Sequence, residues 1–185
     1  AIIFIVDLIL TGILVAPFLV TRLASWRGRL KQASRVSVAL ACIYVLFCAG
    51  ARMRAEVLLK RQSAGIIPRL SYVFPEPLGP HRWRGVLRID DTYRVYLINA
   101  LTGRIDLKAL VRTDEATPVV RAVRAASPIA HRLDAFFKAP VWHVARAGDS
   151  GMEAAVYDLR FRPLILSRGR PFEFLFRVLP NTHVQ

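Results

Sequence analysis

The first twenty residues of the chain, AIIFIVDLILTGILVAPFLV, form an apolar run with one charged residue, Asp7. A helix of this length rises about 1.5 Å per residue and covers the hydrocarbon core of a bilayer, which is about 30 Å thick. No basic segment precedes the run and no small-residue cleavage site follows it, which argues against a signal peptide. Residues 1–20 are therefore predicted to form a transmembrane helix, and the abrupt apolar start predicts that further membrane segments precede it.

A second apolar run covers residues 36–51 and is also predicted to be a membrane helix. Its sixteen residues are few for a span, but Arg35, Arg52 and Arg54 flank it. Arginine side chains at the ends of a short span can extend to the lipid headgroups. A helix buried in the core of a domain would have a similar composition, and this alternative stays open. The two runs together predict a pair of antiparallel helices in a bilayer.

The connection between the two runs is basic and contains no acidic residue. The positive-inside rule places such a loop in the cytoplasm, so the rest of the chain is predicted to lie on the opposite, outer face of the membrane. Basic residues also follow the second run, and they weaken the charge difference on which this orientation depends. The basic residues of the connection are Arg22, Arg27, Arg29, Lys31 and Arg35.

Asp7 is the candidate functional residue of the first run. A carboxylate within a membrane span costs about 2.5–3.5 kcal/mol on insertion scales, so its default interpretation is functional. In the alternative interpretation, Asp7 lies near the end of the helix and simply reaches water. The two interpretations stay open, because the depth of Asp7 depends on the residues before the helix.

The composition divides the chain into three segments. Residues 1–62 are predicted to be a transmembrane helical region, residues 63–81 a Pro-rich linker, and residues 82–185 a basic α+β domain. The linker contains four Pro and two Gly, a density that breaks helices and favours extended structure. Its large apolar residues predict that it packs on another part of the protein.

The third segment shows the period-two pattern of antiparallel strands. Its apolar residues share odd positions and its charged residues share even positions, which predicts one buried and one solvated face. Asp90-Asp91-Thr92 predicts a hairpin turn between the first two strands. A metal site at the paired carboxylates is the alternative, but no His or third carboxylate is near in sequence. The apolar set is Trp83, Leu87, Ile89, Tyr93, Val95 and Leu97.

Two short helices are predicted within the same segment. Thr117-Pro118 and Ser127-Pro128 each place a capping side chain before a proline, which is typical of a helix N-terminus. Strand patterns precede and follow these helices, so the order β-β-α-α-β-β-β predicts an antiparallel sheet with helices packed on one face. The sequence contains no compact zinc pattern, Gly-rich phosphate loop or GxSxG nucleophile motif.

The chain carries a net charge of +14, and its 27 basic residues are 23 Arg and 4 Lys. This ratio indicates a compositional bias that raises the arginine content without selecting for a ligand. Such a charge still attracts phosphates, either of anionic lipid headgroups or of nucleic acid. We expect the lipid bilayer and its anionic headgroups as partners rather than nucleic acid, because the aromatic residues fall mainly on predicted buried faces.

Three segments, in their order and spacing, resemble the YdjM-like family of bacterial membrane-bound, metal-dependent hydrolases. They are FIVDLIL (residues 4–10), FPEPLGPHRWRGVLRIDDTYRVY (residues 74–96) and VYDLRF (residues 156–161). The similarity extends over nearly the whole chain. One departure is Leu8, which stands where the family has a proline after the aspartate.

The resemblance implies a hydrolase of the bacterial inner membrane that uses a divalent metal ion. It also implies a catalytic part for Asp7, either as a metal ligand or as a residue that orients one. The family's metal-binding His and Asp residues lie upstream of the matching segments, so the resemblance assigns no metal ligand here. Two alternatives stay open: a non-enzymatic membrane protein whose basic domain binds anionic lipid or a protein, and a membrane-tethered nucleic-acid binder.

Overall fold

The computed structural model describes residues 8–23, 30–77, 79–147, 151–162, 164 and 172–178. Within these residues the chain forms four α-helices and two antiparallel sheets, which confirms the predicted α+β character. Asp7 lies outside the described residues, so its catalytic part stays a prediction.

The helices and strands follow one another along the chain in the order α-α-β-β-β-β-α-α-β-β-β. The helices are α1 Leu8–Leu23, α2 Leu30–Gln62, α3 Pro118–Ala126 and α4 Pro128–Phe136. The first sheet has the order β1-β2-β3-β4, with strands Leu70–Pro75, Arg82–Ile89, Thr92–Asn99 and Ile105–Arg112. The second has the order β5-β6-β7, with strands Pro140–Ala147, Gly151–Asp158 and Phe174–Val178.

Helix α2 is one continuous helix of 33 residues and is the longest element described. Within it, Lys31–Gln62 is long and apolar enough to cross a membrane, and 22% of its most apolar stretch is buried. This exposure differs from that of a core helix, the alternative that the sequence left open. The apolar part of α1, Ile9–Val20, is shorter, so among the described residues one helix, not two, meets the length of a span.

A proline inside α1 is compensated by a serine of α2. Pro17 has no N–H, so it cannot donate the usual helical hydrogen bond to the carbonyl of Ile13. The Ser37 hydroxyl, which is 5% exposed, donates to that carbonyl at 2.6 Å. A polar bond between two apolar helices stabilises their packing and satisfies a carbonyl that Pro17 leaves without its usual donor.

Replacing Ser37 by alanine is expected to weaken the pairing of α1 and α2 by about 0.6–1.7 kcal/mol, because the Ile13 carbonyl loses its donor. The measurement is thermal unfolding of the full chain in detergent micelles. Ser34→Ala is the matched control, since Ser34 is an exposed serine one turn away on the same helix. Equal melting temperatures for the two variants would contradict this prediction.

The last third of α2 is part of the core of the α+β domain. Ala51, Ala55 and Leu59 are buried against one face of the first sheet. Gly85 permits this close approach, since a Cβ there would lie 2.6 Å from Cδ1 of Leu59. The end of the helical region predicted over residues 1–62 thus packs directly on the domain that follows it. The sheet residues in this cluster are Val73, Trp83, Leu87, Tyr96, Ile98 and Ala100.

Strand β1 lies within the segment that the sequence predicts as a linker. Residues 70–75 pair with β2 along their whole length, so this part of the segment belongs to the sheet. Of its large apolar residues Phe74 is buried, whereas Ile66, Ile67 and Tyr72 are exposed, so the predicted packing is confirmed for Phe74 only. Proline is tolerated here because β1 is an edge strand and Pro75 stands at its end.

The opposite face of the first sheet packs on the second sheet. Tyr93 joins the two, since its hydroxyl donates to the Pro140 carbonyl at 2.6 Å. Burial raises the pKa of Tyr93 to about 12, so the hydroxyl stays neutral and keeps this bond. The buried residues between the sheets are Phe74, Val86, Tyr93, Val95, Ala139, Val141, Tyr157 and Leu159.

The predicted single apolar face of β2 and β3 is wrong. Residues 90 and 91 form the predicted turn, and Ile89 pairs directly with Thr92. Directly paired residues share a face of a sheet, so odd positions of β2 share a face with even positions of β3. Trp83 therefore packs toward α2 and Tyr93 toward the second sheet, and both faces of the first sheet are covered.

The predicted N-termini of α3 and α4 are confirmed. The Thr117 side chain accepts a hydrogen bond from the Val120 N–H, and the Ser127 side chain accepts one from the Ala130 N–H. Both helices pack on the face of the second sheet that is turned away from the first. Their shared core is formed by Val120, Val123, Ala130, Leu133, Phe137, Trp142, Ala154, Val156 and Phe176.

Candidate functional site

A metal site of the kind that the resemblance implies does not fit the described part of the chain. Within those residues no group of three or more His, Cys, Asp or Glu side chains could hold a metal ion. Asp90 and Asp91 form the hairpin turn, as the sequence favours. The fully buried carboxylate of Asp158 accepts hydrogen bonds from the backbone N–H groups of Lys138, Ala139 and Arg160. Its oxygens therefore serve the fold.

A buried ion pair stands between the two sheets. Nη1 of Arg84 lies 3.3 Å from Oε1 of Glu76, and both residues are 2% exposed. Burial lowers the pKa of the Arg84 guanidinium, and the carboxylates of Glu76 and Asp158 oppose this shift. The sequence pattern misses this pair because it places Arg84 on the solvated face of its strand.

The same ion pair holds the segment that follows β6. The Arg84 guanidinium donates to the carbonyls of Arg160, at 3.0 Å, and Arg162. Glu76 accepts a hydrogen bond from the Leu164 N–H at 2.9 Å. The backbone of Arg160 is thus bound on one side by Arg84 and on the other by Asp158, whose Oδ1 accepts its N–H at 2.8 Å. This fixes the base of the Arg160 side chain.

The strongest candidate site is a groove of about 480 Å3 between α2 and the outer edge of β1. A cavity of this size is within the range of small-ligand sites, about 300–1,000 Å3. Four of its side chains are cationic and one is a carboxylate, which leaves a net charge of +3. We call it the juxtahelical groove; it is lined by Arg52, Glu56, Lys60, Ser71, Tyr72, Val73, Phe74, Lys138 and Arg160.

One wall of the juxtahelical groove is a polar stripe of α2. Arg52, Glu56 and Lys60 are spaced four residues apart and so lie on one side of the helix. Nε of Arg52 donates to Oε1 of Glu56 at 2.9 Å, and both side chains are more than a third exposed. An ion pair this exposed contributes little stability and can exchange for another partner. Arg52 is also the first charged residue after the apolar run 36–51.

Arg160 forms the opposite wall and is held by aromatic rings. Its guanidinium carbon lies 4.4 Å from the ring centre of Phe161 and 4.9 Å from that of Phe136. Among the described residues, its Nε and Nη2 have no hydrogen-bond partner, although Nε lies 3.5 Å from Oδ2 of Asp158. Stacking on rings orients the plane of a guanidinium. Because Nε and Nη2 are buried, only the remaining part of this side chain, which is 25% exposed overall, can meet a ligand in the groove.

The floor of the juxtahelical groove is the edge strand β1. Val73 packs toward α2 and Phe74 toward the second sheet, so the groove contains residues from both faces of the strand. In the described part of the chain β1 pairs only with β2, and its outer backbone edge follows the groove. Hydroxyl groups of Ser71 and Tyr72 add further donors.

A second charged cluster joins α3 and α4 to the first sheet. Glu115 forms ion pairs with Arg88 and with Nη2 of Arg124, at 2.8 Å from the latter. Arg124 also pairs with Asp134, and its guanidinium carbon lies 5.3 Å from the ring centre of Trp142. Burial raises the pKa of Glu115, but the hydrogen bonds and charges of the two arginines outweigh it and lower the pKa overall.

Replacing Glu115 by glutamine is expected to lower the free energy of unfolding at pH 7 by about 1.5–3 kcal/mol, because two charged hydrogen bonds are lost. A carboxyl whose pKa is lowered on folding stabilises the fold above its ordinary pKa of 4.5, and this stability is lost as the pH falls through the folded value. The variant should therefore lose less stability than the wild type on acidification.

The measurement is urea unfolding at pH 7 and at a series of lower pH values. Asp106→Asn is the control, since Asp106 pairs with the exposed Arg104 and a surface pair contributes about 0–1 kcal/mol. The prediction is contradicted if the Glu115 variant is as stable as the Asp106 variant and loses stability on acidification as the wild type does. The cluster would then have no net effect on the stability of the fold.

No protein family, curated protein or solved structure matches this chain. The class of protein is therefore defined by the fold itself: an α+β domain of two packed antiparallel sheets, built on the end of a long apolar helix. The similarity to the YdjM-like family, with its hydrolase activity, stays a prediction.

Proposed function

We propose that this protein is an integral membrane protein whose helices α1 and α2 both cross the bilayer and hold the basic α+β domain at the membrane surface, where it binds anionic lipid. The observation that carries this proposal is the continuity of α2. Its first part is apolar and exposed, and its last part is buried in the domain core. If α2 crosses the bilayer, a helix shared in this way would hold the domain directly above it.

The exposed surface of the helical pair supports a lipid environment. Contiguous exposed apolar side chains are costly in water and suit a hydrocarbon solvent. α1 has sixteen residues, about 24 Å of helix, and six apolar residues followed by Asp7 precede it in the sequence. The large exposed apolar residues of the pair include Leu14, Val15, Phe18, Leu19, Val36, Val38, Leu40, Ile43, Leu46 and Phe47.

The proposed orientation follows from charge. The basic connection between α1 and α2 would lie in the cytoplasm of a bacterium, with the α+β domain on the outer face of the inner membrane. Anionic headgroups would attract the domain, since each cation near such a surface contributes about 1 kcal/mol.

Labelling of the native cysteines tests the proposal. Cys42 is exposed and lies within the apolar part of α2, whereas Cys48 is buried. In membrane vesicles, Cys42 is expected to resist a membrane-impermeant maleimide until detergent is added. Leu101→Cys is the control, at a position in the turn between β3 and β4 that is 55% exposed. Its thiol should react at once when the maleimide is added on the side of the membrane where the α+β domain lies. Rapid labelling of Cys42 before detergent is added, with the reagent present on both sides of the membrane, would overturn the transmembrane assignment.

Metal-dependent hydrolysis is the second candidate function, and it is supported by the FIVDLIL segment that carries Asp7. Asp7→Asn keeps the size of the side chain and removes the charge, so it should lower metal content or turnover and leave membrane insertion intact. The measurement compares metal stoichiometry and hydrolysis of a substrate panel for the two full-length proteins. Unchanged metal content and turnover would leave Asp7 without a catalytic part.

A further inference from the structure

We propose that the juxtahelical groove is a binding site for the phosphate of an anionic phospholipid headgroup. This inference deepens the proposed function, because it names the site and the ligand for a domain held at the membrane surface. The groove opens beside Arg52, one residue after the apolar run of α2 ends at residue 51. It is thus continuous with the part of the helix that lipid would surround.

The chemistry of the juxtahelical groove suits a phosphate ester. Lys60 and Lys138 are exposed ammonium groups that approach from α2 and from the connection between α4 and β5. Between them, Arg160 presents a guanidinium whose plane is set by Phe136 and Phe161. Phosphate oxygens accept hydrogen bonds from the ammonium groups, and the partly exposed guanidinium of Arg160 adds a further positive charge beside them.

Two buried residues hold the backbone of Arg160 in position before any ligand binds. Its backbone N–H is bound by Asp158 and its carbonyl by Arg84, both buried residues. A cation held in this way loses little conformational freedom when an anion arrives, which favours affinity. Glu56 neutralises Arg52 in the absence of a ligand, and this half-exposed pair can open when a phosphate takes the place of the carboxylate.

Calorimetric titration of the full-length chain in nonionic detergent tests the proposal. The probes are short-chain phosphatidylglycerol, short-chain phosphatidylcholine, glycerol phosphate and an acidic glutamate peptide. Phosphatidylglycerol is expected to bind most tightly, and glycerol phosphate to compete for the same site with lower affinity. Glycerol phosphate that binds as tightly as the lipid would overturn the assignment to a membrane lipid.

The variant Lys60→Gln with Lys138→Gln is expected to weaken phosphatidylglycerol binding about 30-fold, because each cation beside an anionic lipid contributes roughly fivefold. Both lysines are exposed, so the fold is retained. The matched control is Lys108→Gln with Arg112→Gln on β4, the opposite edge of the same sheet, which should change affinity by about twofold or less. Arg160→Lys keeps the charge, and its weaker binding would report the contribution of the planar guanidinium.

Equal losses in the groove variant and the β4 variant would overturn the proposal, since they would indicate attraction by net charge alone. Binding of the glutamate peptide without binding of phosphatidylglycerol would also overturn it and would indicate a protein partner. Failure of the transmembrane assignment would give a different result from failure of the lipid site. Maleimide would then label Cys42, while the titration would still show that the groove variant loses phosphate binding.

Discussion

Replacing Arg84 by methionine is expected to lower the free energy of unfolding by about 3–5 kcal/mol, the usual cost of removing one partner of a buried ion pair. The Glu76 carboxylate would remain 2% exposed without the guanidinium at 3.3 Å. The carbonyls of Arg160 and Arg162 would lose their donor as well. Since domains are stable by only about 5–15 kcal/mol, this loss is a large fraction of the total.

The measurement is urea unfolding of the full chain in micelles, followed by the fluorescence of the fully buried Trp83 and Trp142. The double variant Arg84→Met with Glu76→Leu should recover part of the loss, because no buried charge then remains unpaired. Arg104→Met is the surface control, since the Arg104 side chain is 76% exposed and should contribute less than about 1 kcal/mol. An Arg84 variant as stable as this control would show that the buried pair contributes no net stability.

Replacing both Ile43 and Leu46 by aspartate is expected to abolish stable insertion of α2 into a membrane. Each carboxylate in the centre of a span costs about 2.5–3.5 kcal/mol, so the pair costs about 5–7 kcal/mol. Ile43 is 62% exposed and Leu46 is 72% exposed, so the fold offers neither carboxylate a partner that would offset this cost.

Alkaline carbonate extraction of membranes measures this effect. The wild type should stay in the membrane pellet, and the variant, which is then held by α1 alone, should appear in part in the supernatant or fail to accumulate. Met53→Asp with Val57→Asp is the matched control, because both residues are exposed on the same helix beyond the apolar run. A pellet fraction equal for the two double variants would mean that residues 36–51 do not lie in hydrocarbon.

Local patterns predicted the elements that depend on neighbouring residues. The apolar run 36–51 lies within one helix, the turn falls at residues 90 and 91, and Thr117 and Ser127 cap the helices that they precede. Each of these features is decided within one or two turns of chain, where composition and spacing carry the information.

The candidate site could not be predicted in this way. Its lining comes from α2, β1 and the segments around Lys138 and Arg160, which are separated by up to about a hundred residues. Arg160 stands in the VYDLRF segment that the sequence singled out, but a list of residues does not show that rings flank its side chain. The spacing of Arg52, Glu56 and Lys60, at i, i+4 and i+8, was visible in the sequence. It indicates a polar side of a helix, but it does not show which part of the protein lies opposite.

The sequence by itself determined the membrane-type helix, the α+β composition and the antiparallel character of the strands, because apolar length and periodicity are properties of contiguous residues. Only the tertiary structure decided that both faces of the first sheet are covered. Covering the second face requires β5 to β7, which lie in a separate sheet distant in sequence. That packing places Arg84 in the interior rather than in water, and the need to satisfy its buried charge fixes the backbone that presents Arg160 to the juxtahelical groove.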